Sequence, residues 1–514
     1  MTRSIAIRIL ALAAAIGLAG QALLIGNAFG LNLLLLSVAL LAAAVALRPA
    51  GTDIDALDLW LPIAAALIIT GVVVRADPLL DLIDIGAGCV LLGASIAAIG
   101  GVAVTRRSAD AVVVLGFVTL GWLGTGVLRV TAAARRPQIS EDALVRRLPI
   151  WAAPVARGLL LATPILVVFI VLFSSADAVF ANLTARIFDW RLDLGELPLR
   201  LAVAFLIAWI VAGLLGVAAG GLGSWSLADR EEVGRQPRSL GAAAAVDPIG
   251  RGGVPVLGSI EAVTILIAVD ALFAVFVVLQ LAYLFGGLDT LAATGLPYAQ
   301  YARSGFFELV VVAVLAGGLL ALVHAVAARR TPALVGAGLG LAGLTAVVLA
   351  SALLRLRIYQ DAYGWTELRF YVLATIVWLA IGIVVTAVLL LRDRMAWLLH
   401  GLGAAAIVVL IGINVVGPSR LIATENVGRL LDPSRVPPDG RTGLDIGYVG
   451  VLGDDAVPAL VQALPAVAGL DRALLQRQLI ERRNALAAAD MTGWPAWNLG
   501  RELARRALEG LPGG

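Results

Sequence analysis

Residues 369–391 read RFYVLATIVWLAIGIVVTAVLLL. After Arg369 the run carries no charge. A helix needs about 20 apolar residues to cross the hydrocarbon layer of a bilayer, and this run is long enough. A buried strand is far shorter, and a soluble core helix tolerates polar residues on its outer face. The stretch therefore reads as a membrane span, and the same reading repeats along the chain.

Working outward, further runs of this kind fall at 5–25, 28–47, 57–75, 85–105, 110–130, 155–175, 200–221, 261–285, 305–327, 332–354 and 397–417. With 369–391 they make twelve expected spans, within a range of eleven to thirteen. Lipid offers no partner to exposed peptide groups, so the spans must be helical. No alternating pattern of short strands suggests a β-barrel. The first run, with Arg3 and Arg8 before it, is read as a span and not as a removed signal. Only Gly26, Asn27 and Gly30 separate it from the second run, so the pair reads as a tight hairpin or as one span partly outside the bilayer.

Composition agrees. Of 514 residues, 61% are hydrophobic and 14% charged, against roughly 25% charged in a soluble domain. Mean hydropathy is +0.97. Every basic residue is Arg, and the net charge is +3. A soluble globular enzyme, a disordered chain and a disulfide scaffold are excluded. Cys89 is the sole cysteine, so neither an internal disulfide nor a multi-cysteine metal site can form. The fold class expected is all-α: a polytopic transmembrane bundle with a small C-terminal helical extramembrane region.

The expected division is 1–130, N-terminal membrane helices; 131–154, an arginine-rich cytoplasmic linker; 155–417, a second bundle that includes the polar loop 222–260; and 418–514, the extramembrane region. Cytoplasmic loops carry the excess of Arg. Arg129, Arg135, Arg136, Arg146, Arg147 and Arg157 place their segment inside. Counting on, 222–260, Arg329–Arg330 and Arg392–Arg394 also fall inside, while 176–199, 286–304, 355–368 and 418–514 fall outside. The same count sets the N-terminus and Arg106–Arg107 outside, against the charge rule. One miscounted span in the first third would repair the N-terminus.

The last 97 residues carry 11 Arg and 11 acidic residues. Asp454 or Asp455 is expected to cap a helix through Val457–Leu464. A longer amphipathic helix is expected over 471–489, with Leu474, Leu475, Leu479 and Ile480 on one side. A last short helix is expected over 501–509. The pairs Gly216/Gly220 and Gly336/Gly340 read as close helix packing. The glycine cluster 250–253 lacks a nucleotide-loop ending and reads as a flexible loop.

Ionisable groups at membrane depth are functional candidates. Asp270 lies mid-span, and Gln280 lies near the far end of the same run. The second candidate surface is on the outer side. It combines Arg303 and Glu308 with Arg355, Arg357, Asp361, Glu367 and Arg369, interleaved with Tyr359, Tyr363, Trp365 and Tyr371. Arginine forks can clamp phosphate or carboxylate, and Glu308 or Glu367 could act as an acid or base. The bland alternative is a network in which these charges satisfy one another. His324 and His400 sit near span ends without metal-ligand spacing. No metal, cofactor or nucleic-acid motif is recognised. The expected surroundings are the lipid bilayer of a plasma membrane and, through the outer surface, an envelope lipid or polymer.

Several stretches are familiar together: Gln280–Gly287, Tyr298–Leu309, Tyr363–Tyr371, Asn414 with Asn426, Leu444–Tyr448, Asp455–Leu460 and Trp494–Leu499. They resemble the bacterial multi-pass family of domain-of-unknown-function 4173, related to that numbered 4153. The resemblance covers roughly 260–500 well and the first third by hydropathy alone. Ser304 stands where another Arg is often found, and Trp365 where a smaller apolar residue is expected. The resemblance implies shared features on the outer half of a helical bundle and supplies no reaction. The functions left open are an envelope-associated scaffold or sensor-like component, an envelope transferase acting on a lipid-linked or phosphate-bearing substrate, and a proton- or ion-coupled transporter using Asp270.

Overall fold

A computed structural model describes residues 1–52, 54–107, 109–135, 197–222, 259–285, 306–327, 330–438 and 440–511. The span expected at 155–175, most of the linker 131–154 and most of the loop 222–260 lie outside the described residues. Among those described, the chain is an all-α membrane bundle. Nine helices are long and apolar enough to cross a bilayer, and two shorter apolar helices cover Leu31–Ala46 and Leu309–His324.

The membrane helices are α1 (Arg3–Leu24), α2 (Leu31–Ala46), α3 (Trp60–Val74), α4 (Pro78–Ile99), α5 (Ala109–Ala134), α6 (Leu197–Gly216), α7 (Ser259–Phe285), α8 (Phe306–Val326), α9 (Pro332–Tyr363), α10 (Glu367–Leu391) and α11 (Leu398–Val416). The C-terminal region adds α12 (Pro418–Leu431), α13 (Val457–Ala463), α14 (Gly469–Leu486) and α15 (Leu499–Leu508). The chain forms two interleaved units. The first holds Met1–Ala66, Cys89–Val104 and Val113–Arg230; the second holds Leu67–Gly88, Thr105–Val112 and Glu231–Gly514.

In the first unit α1 and α2 form the tight hairpin. Buried Asn32 fixes it, donating to the carbonyls of Leu23 and Ala28 and accepting from the Gly30 and Leu33 amides. Helix α1 lies close along α6 because Gly17 leaves room for the Ala204 carbonyl and Ala208. Trp122 of α5 fills the space left by Gly213, Gly216 and Gly221. The expectation for Gly216/Gly220 is corrected here. Gly216 packs, but Gly220 has φ +82° and ends the helix, so the two do not share a helix face.

In the second unit α7 and α8 pack on α9, which packs on α10, which packs on α11. Beyond α11 the chain folds a compact core from Ile422, Val427, Val449, Leu452, Leu475, Leu479 and Leu508, continuous with Phe370 at the start of α10. Leu475 and Leu479 face that core as expected, but Leu474 is 52% exposed. Neither Asp454 nor Asp455 caps α13, because both carboxylates are used elsewhere. Asp454 pairs with Arg482 at 2.8 Å, and Arg482 also donates to the Gly450 and Leu452 carbonyls.

Two expected boundaries move. Helix α9 runs nine residues past 354, to Tyr363. Helix α4 starts at Pro78 rather than 85, which draws Asp81 and Asp84 into the helix. The count that set Arg106–Arg107 on the side of 418–514 also fails. His400, at the start of α11, lies against the Arg107 backbone. The other end of α11 meets the C-terminal region. Arg330 closes the first end, pairing with Asp393 at 3.3 Å and donating to the Leu390 carbonyl.

Candidate functional site

The turn Arg75–Ala76–Asp77 joins α3 to α4, and every part of it has a long-range partner. Pro78 suits the first helical position, where no amide donor is needed. Asp77 precedes it as N-cap, accepting from the Leu80 amide at 3.1 Å. Its second oxygen accepts from the Ser419 hydroxyl at 2.6 Å and the Ser419 amide at 3.2 Å. Ser419 lies in the first turn of α12. One fully buried carboxylate therefore sits at two helix N-termini, whose partial positive charges compensate it.

Arg75 does the reverse. Its guanidinium donates to the carbonyls of Asn414 and Val415, in the last turn of α11, where a cation is favoured. Gly417, at φ +73°, lets the chain turn tightly against it. Arg75 also faces Asp455 at 3.7 Å, and the other Asp455 oxygen accepts from the Ala76 amide at 3.2 Å. Burial pushes the Asp455 carboxyl up to about 6, against the lowering effect of Arg75. Burial likewise lowers the Arg75 guanidinium, partly offset by Asp455.

Asn498 completes the joint. Its amide nitrogen donates to the Val72 and Arg75 carbonyls at the end of α3, and its oxygen accepts from the Arg501 amide. One side chain thus ends α3 and begins α15. Gly453 and Gly500 allow the backbone to approach: a Cβ on Gly453 would strike the Ala76 carbonyl, and one on Gly500 would strike Asp455. Arg501, lowered by burial, interacts with Asp454 and Asp81.

From Asp77 the acids Asp81 and Asp84 follow at i+4 and i+7, on one face of α4. Asp84 is fully buried and accepts from the Asn414 side-chain amide at 2.9 Å. Tyr371 of α10 interacts with Asp77, Glu367, Asp84 and Asp81, and its hydroxyl has no hydrogen-bond partner. Tyr448 accepts from the Glu367 amide at 2.7 Å, placing Glu367 at the edge of this group.

The candidate residues read from the sequence are distributed otherwise. Arg303 lies outside the described residues, as do the side chains of Glu308 and Gln280. Asp270 faces Gly340 of α9, and its Oδ1 is buried without a hydrogen-bond partner. Arg357 lies over the Trp365 ring at 5.6 Å. Arg369 lies over the Tyr359 ring at 4.1 Å and donates to the carbonyls of Tyr363 and Gly364. Asp361 gives its backbone carbonyl to Arg429, which also binds the Gln360 and Ala362 carbonyls. Arg355 is on the same last turns of α9. Of the described members of the set, Glu367 alone joins the Asp77 group. The sequence carries a signal for that group: an Arg-x-Asp-Pro between two apolar runs, followed by Asp at i+4 and i+7.

A comparison with curated proteins and one with solved structures both return no match. A family profile does match. The expectation named family 4173 first and 4153 as its relative; the matching family is the latter, and the match begins well before 260, taking in α3, α4 and the Arg75–Asp77 turn. Because that match spans residues 62–463, most of its length, the chain belongs to the family described as Domain of unknown function (DUF4153).

Proposed function

We propose that this protein is an envelope-associated scaffold or sensor-like component of a bacterial plasma membrane, with about twelve spans and its C-terminal helical region on the extracytoplasmic face. The nine long helices and two shorter ones, with the run at 155–175, support that number. The end of the second unit with Arg107, Arg330, Arg392 and Arg394 is the cytoplasmic one by the charge rule. In this reading the C-terminal region presents the surface that envelope components meet, and the α3–α4 turn holds it to the bundle.

The observation that carries the reading is the double joint of Asp77 to Ser419 and Arg75 to Asp455. Buried polar groups on both sides are used up in holding two parts together, as a scaffold requires. Arg357 and Arg369 bind aromatic faces, and Arg369 binds carbonyls, which also fits a structural role.

The test compares two variants in cells of the source organism. Ser419→Ala with Asp77→Asn opens the joint and should reproduce the envelope defect of a deletion strain. Glu367→Gln should leave envelope composition and growth as in wild type. A deletion-like defect from Glu367→Gln would instead support the transferase reading, with Glu367 as base. Labelling of single cysteines in 418–511 by an impermeant reagent checks the side.

Asp270 favours a second reading. A mid-span carboxyl with an unpartnered oxygen suits a coupling site in a transporter. Asp270→Asn would then abolish proton-coupled uptake in vesicles while leaving the fold intact.

A further inference from the structure

The hydrogen bonds around Asp84 and Asn414 do not balance if Asp84 is a carboxylate. Asn414 donates from Nδ2 to Asp84 Oδ1 at 2.9 Å and to the Leu410 carbonyl at 3.1 Å. Those two acceptors fix the orientation of its amide, since a flipped amide would face both with an oxygen. Asn414 Oδ1 and Asp84 Oδ2 are then left. Both are buried, and neither has a hydrogen-bond partner.

The two oxygens converge on one place. A Cβ added to Gly71 of α3 would collide with each of them. The α3 backbone thus lies close against both oxygens. Two buried acceptors facing one another without a donor repel, and a buried unpaired charge is costly. A metal cation is a poor remedy, because hard cations take six or more oxygen ligands. Among the described residues no His, Cys, Asp and Glu group is arranged for one. A single hydrogen on Asp84 Oδ2 resolves the conflict, since it can be donated to Asn414 Oδ1. The result is a cyclic acid–amide pair with two parallel hydrogen bonds.

We infer that Asp84 and Asn414 form a proton-binding site between α3, α4 and α11, occupied at neutral pH by one proton on Asp84 Oδ2. The proton comes from bulk water and returns there on release. The charged and titratable groups that face the site are Asp77 and Asp81 on α4, Tyr371 on α10, and Arg75 at the Asn414 carbonyl. Asp81 and Asp77 lie one and two turns nearer the end of α4. Release leaves a carboxylate oxygen against an amide oxygen and pushes α4 from the end of α11. This site is separate from the joint proposed above, which Asp84 does not enter.

The test uses the full chain in lipid nanodiscs. The infrared difference spectrum of wild type minus Asp84→Asn at neutral pH should contain a carboxylic-acid carbonyl band. A difference spectrum with only carboxylate bands would overturn the inference. Asp84→Asn keeps a donor for Asn414 Oδ1, so its melting temperature at neutral pH should equal that of wild type. At high pH wild type should lose more. A large drop at neutral pH, or parallel pH curves, would overturn the site. Asn414→Leu removes the acceptor, so the acid band of Asp84 should move to higher frequency; an unmoved band would count against the pair.

Discussion

The turn at 75–77 and the segment at 355–369 are both polar stretches beside the membrane, and they use arginine in opposite ways. In 355–369 there are five charges, and the side-chain hydrogen bonds of Arg369 are close in sequence. Arg369 binds carbonyls only six and five residues before it. In 75–77 there are only two charges, and their partners are distant. Arg75 reaches Asn414 and Val415, and Asn498 reaches back to Val72. Arg369 finishes one helix. The turn joins regions that the sequence sets far apart. The number of charges in a segment is therefore a poor guide to how many parts of a membrane protein depend on it.

That contrast is sharpest under substitution. Arg75→Met leaves Asp455 buried without its cation and the last α11 carbonyls without a donor. Breaking a buried pair on one side costs roughly 3–5 kcal/mol. Limited proteolysis of the purified protein should then release fragments from 418–511 that wild type retains. Arg357→Gln, which removes one cation–π contact, should change the same digestion little, at about 0.5–1 kcal/mol. Equal sensitivity in the two variants would erase the distinction between the regions.

The next effect is on pH. Asp455 ordinarily titrates at 3.8, and in the folded protein at about 6. The folded state then holds this proton more tightly than the unfolded one. Stability from this group is greatest below about pH 4 and falls as pH rises to about 6, by roughly 3 kcal/mol at most. Chemical denaturation followed across this range should show the C-terminal region loosening with rising pH, and Asp455→Asn should flatten the slope. A slope of opposite sign would mean that the ion pair with Arg75 outweighs burial.

A smaller loss is expected from Asn498→Ala. It removes an N-cap, worth about 1 kcal/mol, and the donor to two carbonyls at the end of α3. A melting temperature lowered by less than for Arg75→Met, with the same fragments released, is the expected result.

The spans were legible because twenty apolar residues in a row have few other uses. Boundaries at charged residues were not. The fourth span was expected to begin at 85, which left Asp81 and Asp84 outside it and out of view. What sequence pattern could not supply is the partner. Asp84 is tolerable in the helix because Asn414 meets it, and Gly71 makes room for both. The orientation count failed at Arg106–Arg107 for a related reason: hydropathy counts crossings, whereas contact between Arg107 and His400 fixes which end a turn occupies. The C-terminal helices were legible in outline. Asp454 and Asp455 were not, since a cap and a distant ion pair require the same side chain at the same place.

Asp77 and Ser419 are 342 residues apart. A ribosome therefore finishes the third and fourth helices long before it makes the hydroxyl and amide that the buried carboxylate needs. During that interval the nascent hairpin holds at the bilayer surface an acid that only one of its two helix N-termini compensates. Chains cut short before α12 would keep that defect permanently, and would carry a mark by which membrane quality-control proteases could distinguish them from finished ones.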